Sequence, residues 1–177
     1  MIISTKTYAL ALFEVARDEG ITLEMFDELE SIQGILADKE VQRTLSLTLI
    51  NESVLEPIWI LLENYYSKEM IHFLRILNEA NMVREFSRIV SAYQDLLIDH
   101  ELLMIVDVRS SRELNEKEKE SLLNSLKEKY QGRYKVNYEH DSQLIKGMVV
   151  SVNNDIYDTS IKGKLDQILS YGGFANE

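Results

Sequence analysis

Cysteine is absent from this 177-residue chain, which removes disulfides, thiolate chemistry and cysteine-ligated zinc from consideration. Proline occurs once, at Pro57, and no glycine lies between Gly34 and Gly132. So long a stretch without the usual chain breakers favours helices with short joins. Histidine is scarce: His72, His100 and His140 fall on three different expected elements with no ligand spacing, and each reads as an ordinary helix or strand residue. No apolar run approaches the ~18 residues that cross a bilayer, so direct membrane insertion is not expected. The start, MIISTKTYALALF, has neither a charged opening nor a cleavage site and reads as mature and untargeted. Neither G-x-S-x-G nor G-x-G-x-x-G occurs.

Basic residues are outnumbered, and unevenly. The formal net charge is −11; residues 1–104 hold 8 Lys and Arg against 18 Asp and Glu, whereas residues 105–177 hold 11 against 12. A front half this acidic repels phosphate backbones and anionic headgroups, which argues against nucleic acid as a partner. Most of this charge belongs to solvated helix faces.

What is present divides at residues 82–110. Met82, Val83, Phe86, Ile89, Val90, Tyr93, Leu96 and Leu97 recur with a helical period. After His100 the run Leu102-Leu103-Met104-Ile105-Val106 suits a largely buried strand. Before this switch the pattern is all helix. Ala9, Leu12, Phe13 and Ala16 form one apolar arc of a first helix ending near Gly20, with Tyr8, Ala11 and Val15 in a second arc beside it. Leu23, Phe26, Leu29, Ile32, Ile35 and Leu36 stripe a second helix, and Asp38 can open a short third with Val41 and Leu45 inward. A fourth, over residues 53–66, places Pro57 in its opening turn, where the missing N–H is not needed. The fifth, over residues 67–80, is apolar nearly all round. Met70, Phe73, Leu74 and Leu77 make its core stripe, and Ile71 and Ile76 fall outside it, so the helix is either central in a bundle or covered by a partner. The helix before the switch is the sixth.

After the switch, Asn115 and Glu118 form a capping-box variant that opens a helix ending around Gly132. Residues 134–140 alternate as a strand with one apolar face, residues 147–152 form another, and Asn153-Asn154-Asp155 is turn chemistry before a short strand at Ile156-Tyr157. A last helix is expected over residues 160–171. The expected fold is thus α+β: a six-helix bundle over residues 1–102, then a small β-α-β-β-α domain over residues 103–177. No catalytic constellation appears. Asp107, Asp155 and Asp158 could meet near strand ends as a divalent-metal site, but the latter two also suit local hydrogen bonding in a turn and at a helix start. Lys162-Gly163-Lys164-Leu165 lacks the Ser or Thr and the earlier glycine of a phosphate loop. On residues alone, a helical adaptor with an unrelated partner and a small metal-dependent enzyme both stay open.

The stretch DSQLIKGMVVSVNNDIYDTSIKGKL resembles the signature of the delta subunit of bacterial F-type ATP synthases, a family related to the mitochondrial oligomycin-sensitivity-conferring protein. Leu144, Ile145, Gly147, Asp158, Ser160, Ile161, Lys162, Gly163, Lys164 and Leu165 fit that pattern; Lys146 replaces the first glycine of a pair and Asn153-Asn154-Asp155 replaces the usual turn. The likeness extends to Tyr8, Ala9, Ala11, Leu12 and Phe13, and to Leu74, Ile76, Leu77, Asn78 and Glu79. The resemblance implies a non-catalytic stator component with no cofactor, peripheral at the cytoplasmic face of the bacterial membrane. Its helical domain would bind the N-terminal helix of an alpha subunit, and its C-terminal domain the end of the b-type peripheral stalk. The groove implied between the first and fifth helices maps onto Tyr8, Ala11, Leu12, Val15, Phe73 and Ile76: Tyr8, Ala11 and Val15 come from the second apolar arc, Leu12 from the first, and Phe73 and Ile76 from the fifth helix.

Overall fold

The computed structural model describes residues 4–37 and 52–160, with residues 52–55 described by backbone alone. The chain divides into two compact units, Met1–Leu97 and Ile98–Glu177. The expected third helix around Val41 and Leu45, the last helix from residue 161 onward and Lys162-Gly163-Lys164 lie outside the described residues.

The first unit contains α1 (Thr5–Asp18), α2 (Thr22–Ala37), α3 (Glu52–Leu62), α4 (Lys68–Glu79) and, after a 3₁₀ turn at Val83–Glu85, α5 (Phe86–Asp99). Helix α1 buries Ala9, Leu12, Phe13 and Ala16, the arc its period predicts. It ends where Gly20 turns left-handed at φ 73°. There Gly20 N–H donates to the Arg17 carbonyl (3.1 Å) and Ile21 N–H to the Ala16 carbonyl (2.8 Å), the paired closure of a Schellman end. Asn81, at φ 56°, does the same for α4: its N–H donates to the Asn78 carbonyl and Met82 N–H to the Leu77 carbonyl.

The core of this unit centres on Tyr93 of α5, which is fully buried. Its ring meets Phe13 edge-on at 5.6 Å and stacks on Phe26 at 6.3 Å, so one side chain ties α5 to α1 and α2. Its hydroxyl donates to the Thr22 carbonyl at 3.0 Å, which satisfies the one polar atom of a buried ring. Helix α4 is fastened to α2 by a cap. Ser67 Oγ accepts from Met70 N–H (3.2 Å), while the Ser67 N–H and hydroxyl both donate to the Glu28 carboxylate at 2.9 and 2.6 Å.

Four expectations change here. Ile71 is buried rather than outside the stripe of α4, because the buried arc from Ile71 through Met70 to Phe73 spans about 160° of helix surface. That arc marks α4 as a central helix on one side, with Ile76 left 38% exposed on the other. On α2 the core takes Met25 and leaves Ile35 45% exposed. Pro57 lies in the second turn of α3, not the first, so the Ser53 carbonyl loses its helical donor. Helix α5 begins at Phe86, not Met82, since a 3₁₀ turn occupies Val83–Glu85.

The second unit contains β1 (Leu103–Ser110), α6 (Glu116–Lys129), β2 (Arg133–His140), β3 (Met148–Val152) and β4 (Asp155–Asp158), in the sheet order β2-β1-β3-β4. Strands β1 and β2 are parallel, from Leu103 opposite Arg133 to Ser110 opposite His140, with α6 as the crossover that a parallel pair requires. The β1–β3 and β3–β4 pairs are antiparallel. Met104, Val106 and Val108 of β1, Val150 and Val152 of β3 and Leu126 of α6 form one core, with Tyr134, Val136 and Tyr157 packed against it. Strand β1 is buried on both faces at its start, where Leu103 is 1% exposed, and on one face only from Asp107 onward. Its run of apolar residues suggested burial on both throughout, but Asp107 and Arg109 are exposed on the reverse face. The expected capping box is present: Glu118 N–H donates to Asn115 Oδ1 and Asn115 N–H donates to Glu118 Oε2, both at 3.0 Å.

Candidate partner-binding faces

The six candidate groove residues divide by accessibility. On α1, Ala11 and Val15 are exposed (Val15 by 48%), Tyr8 is half-buried and Leu12 is in the core. On α4, Ile76 is exposed and Phe73 is buried. Partner atoms can reach Tyr8, Ala11, Val15 and Ile76 directly, whereas Leu12 and Phe73 can act only as a floor beneath them. Within α1 the reachable residues lie on one strip, since Tyr8, Ala11 and Val15 follow the i, i+3, i+7 spacing. Arg75, next to Ile76, is held by Glu56 and Glu63 (both 3.5 Å) and lies over the Trp59 ring at 5.8 Å. Leu10, 44% exposed, also lies on α1 but outside the strip.

The carboxylates weighed as a metal site do not converge. Paired residues across a sheet share a face. Asp107 pairs with Ser151, and Asp158 with Val149, on the face away from α6. Asp155 pairs with Val152, a core residue, and so faces α6. Each is already bonded locally. Asn137 Nδ2 donates to Asp107 (2.8 Å), the Tyr130 hydroxyl to Asp155 (2.7 Å) and Ser160 N–H to Asp158 (2.8 Å). A sheet separates Asp155 from the other two, so one ion cannot take all three. Among the described residues no group of three or more His, Asp or Glu is placed to hold a metal. A shallow depression of about 350 Å³ on the open sheet face is lined by Asp107, Arg109, Asn137, Glu139 and Ser151, and Ser151 has no histidine beside it to act as its base. His140 is engaged at the Ser111 carbonyl (3.1 Å).

The family model for the ATP synthase delta (OSCP) subunit matches residues 5–171. The chain belongs to this family. It is 30% identical over 169 residues to the ATP synthase subunit delta of Rickettsia bellii, covering 94% of this chain and 89% of that one. It is 28% identical over 166 residues to that of Rickettsia massiliae, covering 92% and 90%. A chain in the cryo-EM structure of the Toxoplasma gondii mitochondrial ATP synthase hexamer shares its fold at a TM-score of 0.64 and 18% identity, over 96% of this chain and 97% of that one.

Three of the delta-family signature residues in the described part of the second unit, Gly147, Asp158 and Ser160, meet in one knot. Gly147 takes φ 101°, and a β-carbon there would lie 2.7 Å from Ser160 Cα and 2.8 Å from the Thr159 carbonyl oxygen. Thr159 N–H and hydroxyl both donate to the Met148 carbonyl, at 3.0 and 2.8 Å. Hydrogen bonds from the Ser160 hydroxyl and N–H hold the Asp158 carboxyl below its usual range, with Arg109 adding to the shift. The signature Gly and Asp-x-Ser are thus the two sides of one closely packed turn, and their chemistry is structural.

Proposed function

We propose that the chain is the peripheral-stalk, stator subunit of a bacterial F-type ATP synthase, a non-catalytic part that links the catalytic head to the stalk during proton-driven synthesis. The observation that carries this reading is a family match spanning both units, from residue 5 to residue 171. Residues 1–102 take the N-terminal helix of an alpha subunit, residues 103–177 take the C-terminal end of the b-type stalk, and the subunit sits peripherally at the cytoplasmic face of the membrane. No helix among the described residues is long and apolar enough to cross a bilayer, which suits attachment through partners.

The groove on the helical unit is assigned to Tyr8, Ala11, Leu12, Val15, Phe73 and Ile76. A groove burying about 400 Å² of apolar surface on this side would contribute about 10 kcal/mol of gross hydrophobic stabilisation at ~25 cal/mol/Å². Much of that is offset by ordering the peptide and by lost translational freedom. Engagement of the stalk at the second unit restores overall hold, because a second attachment acts at high effective concentration. Copurification with the other synthase subunits tests the reading. Full-length chain should bring down both head and stalk, and a chain lacking residues 103–177 should keep the head and lose the stalk. Failure of the full-length chain to associate with either would sink the proposal.

A further inference from the structure

Strand β4 is four residues long, lies at the edge of the sheet and carries Ile156 71% exposed, so its own burial does little to hold it. Beneath it, β3 reads Met-Val-Val-Ser-Val, the most β-prone and least charged strand of the sheet. If β4 lifted, β3 would present unpaired backbone groups beside three valines, an edge suited to pairing with another chain. Besides its ladder to β3, the Tyr157 ring against the core and the Thr159 bonds to the Met148 carbonyl, side-chain contacts from α6 help to keep β4 in place.

A chain of four polar side chains lies at that point. Lys129, the last residue of α6, donates through Nζ to the Tyr157 hydroxyl and lies over the Tyr157 ring at 4.4 Å and the Tyr130 ring at 5.3 Å. The Tyr157 and Tyr130 hydroxyls are 2.5 Å apart, and Tyr130 donates to Asp155 Oδ2 at 2.7 Å. With Tyr130 donating to Asp155, Tyr157 must donate to Tyr130 and Lys129 to Tyr157. Every proton then points from the ammonium towards the carboxylate. Two residues of β4, Asp155 and Tyr157, are held this way by two residues at the C-terminal end of α6. Such a directed chain polarises each link, so its bonds strengthen one another.

We propose that Lys129, Tyr157, Tyr130 and Asp155 form a latch that keeps β4 on the sheet and so guards the β3 edge from association with other chains. The latch sets the local opening of the β3–β4 hairpin and leaves the rest of the unit unaffected. It also makes Lys129 and Asp155 energetically coupled through the two phenols rather than by direct contact.

Hydrogen exchange on the full-length chain tests this. In Tyr157→Phe, amides of Asp155–Asp158 should lose protection by tenfold or more, while those of β1 paired with β2 keep theirs. Tyr130→Phe should give the same pattern by cutting the chain one link further on. Lys129→Met and Asp155→Asn should be non-additive in the wild-type background and additive when Tyr157→Phe is also present. Light scattering at raised concentration should grow faster for Tyr157→Phe than for wild type. Unchanged protection at β4, a uniform fall across the sheet, or additive Lys129 and Asp155 effects in the wild-type background would each overturn the latch.

Discussion

Asn153 closes both backbone groups of Ile105. Its N–H donates to the Ile105 carbonyl and its side-chain Oδ1 accepts from the Ile105 N–H, both at 2.9 Å. The β1–β3 ladder runs from Val106 opposite Val152 to Ser110 opposite Met148. Asn153 extends it by one position from within a turn, with its side chain standing in for a strand carbonyl. It does so at φ 49°, a conformation that Asn adopts at lower cost than most residues.

Replacing Asn153 separates these contributions. Asn153→Ala removes the acceptor for Ile105 N–H and leaves at φ 49° a residue that adopts the left-handed region less readily than Asn, for an expected loss of ~2–4 kcal/mol. Asn153→Gly relieves the backbone but still lacks the acceptor, so it should lose less. Urea unfolding of the two variants gives the comparison, and equal losses would mean that the backbone conformation costs nothing here.

Gly147→Ala should be strongly damaging to the second unit. It forces a left-handed φ and brings a β-carbon within 2.7 Å of Ser160 Cα, a backbone atom with little freedom to move. We expect a loss of ~3 kcal/mol or more, the range of strained and overpacked positions. A melting temperature within a degree or so of wild type would show that the turn can relax.

These two positions show what was legible in the chain. Gly147 and Asp158-x-Ser160 are visible as a signature, and Asn153 as turn chemistry, because their local backbone demands select particular residues. The capping box at Asn115 and Glu118 is legible for the same reason. The arc of α1 follows from helical period alone. Other features depend on which neighbours arrive. The burial of Ile71 and of Met25, and the exposure of the reverse face of β1 only at Asp107 and Arg109, are decided by tertiary packing that a period cannot reveal. Ser67 stands at the expected start of the fifth helix, but its cap bond and its bond to Glu28, thirty-nine positions away in sequence, are not visible there. Nor is the run from Lys129 to Asp155, which joins a helix end to an edge strand. Of the six groove residues, period placed Leu12 in the core stripe, whereas the exposure of Ala11, Val15 and Ile76 needed the fold.

Acid should loosen the start of α6. The Glu118 carboxyl is held below its usual value chiefly by the hydrogen bond from Arg112, whose Nη1 is 3.0 Å from Glu118 Oε2, and then by Asn115 N–H. A lowered folded-state value stabilises the fold above the unfolded value of about 4.3, and that contribution disappears as pH falls through the folded value. Arg112→Gln should return the Glu118 titration towards its ordinary range, read by carboxyl NMR, and move the acid loss of helix α6 to higher pH. An unmoved titration would mean that Asn115 alone holds the carboxylate.

The core tyrosine predicts the alkaline limit. Burial, with the Glu24 charge adding to it, pushes the Tyr93 phenol well above its ordinary range. A raised folded-state value stabilises the fold below the unfolded value of about 10 and is lost as pH rises beyond it. Tyr93→Phe keeps the rings that meet Phe13 and Phe26 but strands the Thr22 carbonyl, so it should cost about 1–2 kcal/mol at neutral pH. It should also remove the part of the alkaline destabilisation that wild type shows. Tyr93→Ala, which empties the centre of the bundle, should cost ~3–5 kcal/mol.

Ala11 offers the sharpest test of the proposed alpha-subunit groove. Its side chain is exposed on α1, flanked by half-buried Tyr8 and exposed Val15, so Ala11→Asp should change folding stability by no more than ~0.5 kcal/mol. An alpha-subunit N-terminal peptide lying on this strip would have to bury the new carboxylate without a partner, at a cost of at least ~1–3 kcal/mol. Calorimetric titration should then show affinity weakened about tenfold or more, since each ~1.4 kcal/mol is a factor of ten. Leu12→Ala cannot give the same answer, because removing a core leucine costs ~2–5 kcal/mol of stability whether or not a peptide binds. Unchanged affinity for Ala11→Asp, in a chain that melts normally, would move the peptide off this face of α1.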